Sequence, residues 1–388
     1  MSSIAPPSTT ELAAPTGSGP ARRFDFNLRA SGIYLAFAAI VVIFDIMTHG
    51  LLLTPENVSN LIVQNSYILV LAIGMILVII AGHIDLSAGS VVAVTGAIAA
   101  VLMVNHHMSW PLALLITLIA GAAIGAFQGY WVAYFGLPAF IVTLAGMLVF
   151  RALTMTVLGN VGLGSLGGAD LFTLVIGVLA VLAAVAGQWR ARAAKLRYGQ
   201  QVESVGLFAG KMALMAVVVL GVVVQLARYK NLPWVLVLLT VLVLGYSLVA
   251  SRTVFGRHIY AIGGNAQAAV LSGVKVKKVT FWIFVNMGVL AAIAGVIFAG
   301  RLNQAGPTAG TNFELDAIAA AFIGGAAVTG GVGKVVGAIT GGLIMGVINN
   351  GMSLLGEPSE RVMLVKGLIL LAAVAFDVWA KRRAGTAR

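Results

Sequence analysis

The stretch AGHIDLSAGS, residues 81–90, interrupts an apolar run that reads LVLAIGMILVII before it and VVAVTGAIAAVLMV after it. A helix of about 20 apolar residues spans the ~30 Å hydrocarbon core of a bilayer. The polar insertion therefore falls at or near membrane depth, where every backbone amide needs a partner and irregular backbone survives only against protein or water. An aspartate facing lipid there would cost several kcal/mol. Gly82 and Gly89 permit a break in the helix, and Asp85, Ser87 and Ser90 can satisfy the amides freed at the next helix start. Capping alone accounts for Asp85. A break that lines a solute path, with Asp85 or Ser87 touching hydroxyls, is compatible with it.

Composition supports the membrane reading. The 388 residues are 60% hydrophobic and only 9% charged, with a mean hydropathy of +1.03, against about 25% charged for a soluble domain. Long unbroken runs favour helices over a barrel, whose strands alternate over about 10 residues. The expected fold is an all-α polytopic membrane protein with about 10–12 transmembrane helices, broken or re-entrant in places. Spans are expected near 31–48, 61–82, 88–104, 110–135, 139–159, 169–189, 212–227, 233–251, 280–300, 315–331, 333–352 and 361–380. The short, glycine-rich 315–331 segment either crosses or dips and returns. Residues 1–29 read as a disordered tail, 30–380 as the transmembrane domain and 381–388 as a basic tail. With no cysteine, disulfides and thiolate chemistry are excluded.

Net charge is +12, but its distribution argues against nucleic acid. Twelve crossings put both termini on one side, and 18 of the 24 basic residues fall on that side, against Arg228, Lys230, Arg301 and Arg361 on the other. The positive-inside rule makes the first side cytoplasmic. The basic loop 190–211 reads as a segment lying on anionic membrane lipid. In the loop 252–279, Asn265 can cap a short helix and Gly273 can end it. That helix could rest on lipid or dock into a partner.

Gly121, Gly125 and Gly129 repeat every four residues, as do Gly337 and Gly341, and Gly342 and Gly346, spacing that lets helix backbones approach closely. The segment GAFQGYWVAYFGLP (125–138) parallels GVINNGMSLLGEP (346–358), both ending in Gly-x-Pro; on opposite sides of the membrane they would mark a weak inverted repeat. Lys334 belongs to no P-loop, and the G-x-G-x-x-G at Gly162, Gly164 and Gly167 lacks its strand. No nucleophile–base set or metal pair is visible, so no catalysis, metal or cofactor is expected.

These motifs carry a resemblance. GHIDLSAGS is similar to the G-x-IDLS-x-GS signature of monosaccharide ABC-importer permeases, the ribose/galactose/xylose group. RHIYAIGGNAQAAVLSGVKV (257–276) resembles that family's cytoplasmic segment, and PTAGTNFELDAIAAAFIGG (307–325) with TGGVGKVVGA (329–338) its late signature. The xylose branch is nearest, on GYWVAYFGLPAFIVTLAGMLVFRA (129–152) and the extra spans around 190–211; His83 and Gly136 depart from the pattern.

The resemblance implies a bacterial inner-membrane permease that is a homodimer and carries no ATPase of its own. Its partners would be cytoplasmic ABC ATPase subunits and a periplasmic sugar-binding protein. Asn265, Ala266, Gln267, Ala268, Ala269, Leu271, Ser272 and Gly273 would form the coupling element in an ATPase groove. Glu56, Arg301, Glu314, Glu357, Glu360 and Arg361, in outer loops, would receive the binding protein. Because sugars are neutral, the path should be lined by hydroxyls and amides; its candidates are Asn65, Asp85, Ser87, Gln128, Asn286 and Asn349. Proton-driven secondary transport is the competing reading, resting on Asp45, Asp85, Arg151, Lys366 and Asp377 in or near spans.

Overall fold

The computed structural model describes residues 28–158, 233–302 and 304–383, together with isolated positions between 206 and 217. The expected spans 169–189 and 212–227 and nearly all of the 190–211 loop lie outside the described residues. Twelve α-helices are described: α1 (Leu28–Met47), α2 (Pro55–Ile80), α3 (Ala88–Ala100, continued by a π-turn to Asn105), α4 (Trp110–Ala133), α5 (Ala139–Leu158), α6 (Trp234–Arg252), α7 (Val254–Gly264), α8 (Ala266–Leu271), α9 (Val276–Leu302), α10 (Phe313–Ile323), α11 (Val335–Leu354) and α12 (Ser359–Arg383). Seven of them are long and apolar enough to cross a membrane, and no strand occurs among the described residues.

The centre is α2. Thr54 caps its start by accepting the Asn57 amide, and Pro55 sits where its missing N–H costs nothing. From Ser66 to Ile80 every residue is buried, on all faces, as expected for a helix that is apolar all round. Helices α9, α10, α11, α6 and α7 pack around it. At one end of the bundle Asn57 and Asn350 exchange amide hydrogen bonds of 2.7 and 3.0 Å. At the other, Gly331 N–H donates to Ile80 O at 2.8 Å. Exposed apolar side chains of α4, α5 and α6, such as Leu115, Ile119, Leu148 and Val241, form the lipid-facing girdle.

The glycine spacing is used as close packing. A Cβ on Gly121 would lie 2.5 Å from Gly288 O, and one on Gly125 would run into Phe284 O, so α4 and α9 meet backbone to backbone. Gly337 and Gly341 do the same for α11 against Gly324 and Ala320 of α10.

The element order repeats. A long helix, a break, a short helix, a third helix, a Gly-x-Pro turn and a fourth helix occur as α2–α5 and again as α9–α12. Gly136 and Gly356, both left-handed at φ +76° and +71°, make the equivalent turns. Each half's first helix packs on the other half's second and third: α2 on α10 and α11, α9 on α3 and α4. The turn at Gly356 follows the Asn350 end of α11, whereas α4 runs antiparallel to α9 so that Gly136 lies at the opposite end. The weak inverted repeat is thus an architectural one.

One expected span is corrected. The segment 315–331 does not cross as a continuous helix. It is the 11-residue α10, about 16 Å long at 1.5 Å per residue, followed by a loop that Gly325, Gly330 and Gly331 turn with positive φ. Gly325, at φ +88°, and Ala326 donate back to Phe322 O and Ala321 O, and this left-handed glycine cap ends α10.

Candidate functional site

The two breaks meet in the interior. After α2 ends, Asp85 Oδ1 accepts the Ser87 amide at 2.8 Å and the Ser87 hydroxyl at 2.6 Å. Gln128 of α4 donates to Ser87 Oγ at 2.6 Å, and Thr143 of α5 accepts the Leu86 amide at 3.1 Å. The amides of Leu86 and Ser87 are thereby matched by the side chains of Thr143 and Asp85, as burial demands. The second break, residues 304–312, folds back onto the start of α3: a Cβ on Gly89 would run into both Gly310 O and Glu314 Oε2. Arg151 of α5 holds this loop by donating to the carbonyls of Pro307 and Ala309.

This geometry revises several expected roles. Asp85, Ser87 and Gln128 are each at most 2% exposed and close on one another through hydrogen bonds that brace the break. Ser90 does not cap α3: its hydroxyl is buried and without a partner. Asn286 accepts a hydrogen bond from Tyr246 of α6, away from both breaks. Glu314 is buried between α10 and α3 and is not available on an outer surface. The burial of Glu314 has a specific cause. A re-entrant loop returns to the protein interior residues that a simple hairpin would leave outside.

Two of the expected path residues, Asn65 and Asn349, do line a cavity of about 450 Å³ between α2, α10, α11 and α12. Arg301 stands at its edge, exposed near the end of α9. On its wall the Asp316 carboxylate takes both oxygens to Lys366 Nζ, at 2.9 and 3.0 Å, and Asn349 lines the same cavity. Tyr67 and Phe313 stack beside them with ring centroids 4.1 Å apart. Asp316 is not among the residues expected from sequence, although an acidic residue in the first turn of an apolar helix, like Asp85 before α3, is a readable signal.

At the Ile80 end lies the loop that follows α6. Thr253 caps α7 and Asn265 Oδ1 caps α8 by accepting the Ala268 amide at 2.9 Å; Gly273, at φ +82°, ends that short helix. Ala266, Gln267, Ala268, Leu271 and Ser272 are exposed, Leu271 to 89%, while Ala269 faces inward. Behind α8, α7 touches both breaks' neighbours: Tyr260 donates to Gly333 O at 2.7 Å, and Gly263 approaches Ile80 O so closely that no Cβ would fit between them. Burial pushes the Tyr260 hydroxyl above its ordinary range, which keeps it a donor at neutral pH. Arg252, Arg257, Lys275, Lys277, Lys278 and Lys334 are all exposed around this end. At the Asn57 end, Glu56, Glu360 and Arg361 are exposed, and Arg361 pairs with Glu357 at 2.7 Å.

Among the described residues, no group of three or more His, Asp or Glu could hold a metal. Lys366 pairs with Asp316, and Arg151 donates to the carbonyls of Pro307 and Ala309.

The chain is 42% identical to the "Xylose transport system permease protein XylH" of Escherichia coli K12, over 97% of this chain and 98% of that protein. It is 40% identical to the Haemophilus influenzae protein of the same name, over 92% and 98%. It is also 36% identical to the E. coli "Ribose import permease protein RbsC", over 84% and 86%. No solved structure matches the chain. Residues 57–374, from the first turn of α2 well into α12, match the family described as branched-chain amino acid transport system / permease component, and this broken-helix membrane protein belongs to that family.

Proposed function

We propose that the protein is the membrane-spanning permease subunit of an ATP-driven importer for a monosaccharide, D-xylose foremost. The observation that carries this is the 42% identity, along nearly the whole of both chains, to a protein named for xylose transport. The family description mentions branched-chain amino acids, but the relatives that match end to end are named for xylose and ribose.

Energy would come from separate ATPase subunits on the cytoplasmic side. The crowded cations at the Ile80 end favour that end as cytoplasmic, with both termini inside and the protein in the bacterial inner membrane. There α8 offers Val270 and Leu271 as exposed apolar knobs for an ATPase groove. The Asn57 end, with Glu56, Glu357, Glu360 and Arg361, would receive a periplasmic sugar-binding protein. A second copy of this chain completes a homodimer. Movement of α8 would pass through α7 to Ile80, which precedes the first break, and to Gly331 in the loop that follows α10.

The test is reconstitution in vesicles with the ATPase and sugar-binding protein of the same system, measuring uptake of labelled sugars. ATP-dependent, vanadate-sensitive uptake of D-xylose is the expected result. Uptake that ignores vanadate and collapses with an uncoupler would favour the proton-driven alternative.

A further inference from the structure

The cavity between α2, α10, α11 and α12 has chemistry of its own. At about 450 Å³ it falls within the ~300–1,000 Å³ usual for small-ligand pockets. Its polar groups include four amide side chains, Gln64, Asn65, Asn312 and Asn349. Each amide both donates and accepts, as hydroxyls do. Asn65 spends its NH₂ on Leu61 O at 2.8 Å, which leaves its carbonyl oxygen to accept from a ligand. Asp316 is 6% exposed and its charge is already met by Lys366. A carboxylate has about four lone-pair positions, so beyond the two oxygens' bonds to Lys366 it retains room for a hydroxyl donor. The stacked Tyr67–Phe313 pair supplies a flat apolar wall, of the kind that the C–H face of a sugar ring covers.

An amino acid fits less well. Its ammonium group would need a free carboxylate, and among the described residues the one carboxylate on the wall is bound to Lys366 through both oxygens. A phospholipid headgroup would need an uncommitted cation deep in the cavity, and Lys366 is committed; Arg301 stands at the exposed edge.

We propose that this cavity, within a single protomer, is a transient holding site for a neutral polyhydroxylated ligand, with Asp316 and the amides of Asn65 and Asn349 as its hydrogen-bonding set. This rests on the importer reading above. It moves the point of contact with solute from the Asp85–Ser87–Gln128 network to the second break.

Because the chain has no cysteine, Asn349→Cys introduces a unique thiol on the cavity wall. In the assembled complex during ATP-driven uptake, D-xylose should slow modification of that thiol by a small methanethiosulfonate at least threefold, and L-leucine should not. In parallel, Asn65→Leu should raise the KM for xylose uptake at least fivefold while ATPase activity and assembly hold. The holding site alone is overturned if Asn65→Leu takes up xylose at the ordinary KM and the Asn349→Cys thiol reacts equally with and without sugar. Protection by leucine in place of xylose overturns its polyol character. A wild-type complex that takes up no sugar overturns the importer reading and the holding site together.

Discussion

At the scale of single residues, a polar group in an apolar run marks a place where the backbone does something other than continue. Asp85 was legible for that reason, and it caps the break. What it faces was not legible, because Gln128, which closes its network through Ser87, lies 41 residues beyond that serine on another helix. Replacing Gln128 with Leu removes the donor to the Ser87 oxygen and leaves its bond to Asp85, at a cost of about 0.5–1.5 kcal/mol; a lower unfolding temperature in detergent should report it. The Asn57–Asn350 pair spans 293 residues, and no sequence pattern announces it. Asn57→Leu should destabilise by about 1–3 kcal/mol, because Asn350 is left buried and unpaired. The double substitution with Asn350→Leu should cost clearly less than the sum of the two singles. Additive costs in a double-mutant cycle would mean that the amides do not depend on each other.

Elements were readable where periodicity and length decide them, and unreadable where contact decides them. The spans corresponding to α2, α4, α5, α9 and α11 follow from apolar length alone. The residues of α10 are just as apolar, yet the helix stops at Ile323, where left-handed Gly325 caps it. The glycine triplet at 121, 125 and 129 announced close packing without naming α9 as its partner. Gly125→Leu should abolish folded protein, since backbone lies where the side chain would go; recovery of monodisperse protein on a sizing column would contradict this. Gly263 is the corresponding position at the junction of α7 with α2. A complex carrying Gly263→Ala should hydrolyse ATP and yet import at most a tenth of the wild-type rate, because the displaced α7 no longer moves with Ile80. Import and hydrolysis falling in the same proportion would point to lost assembly instead of lost coupling.

For the whole molecule, charge distribution predicts orientation. In a chain without cysteine, Glu360→Cys should react with an impermeant thiol reagent added to intact spheroplasts, and Lys277→Cys only after permeabilisation. The opposite pattern would invert the topology and place α8 out of an ATPase's reach. The inverted repeat is a property of this scale too. A short Gly-x-Pro echo hints at it, and the reciprocal packing of α2–α5 with α9–α12 makes it architectural. By itself the sequence determined that the chain is helical, lies in a membrane, breaks at residues 81–90 and carries a capped helix at 265–273. Hydrophobic length, charge asymmetry and capping chemistry are local and can be summed along a chain. Tertiary structure alone decided that Asp85 and Glu314 turn inward, that Asp316 meets Lys366, and that Asn65 and Asn349 share a cavity. Those outcomes depend on which backbones approach closely enough to fill or leave space, and residues far apart in the chain settle that together.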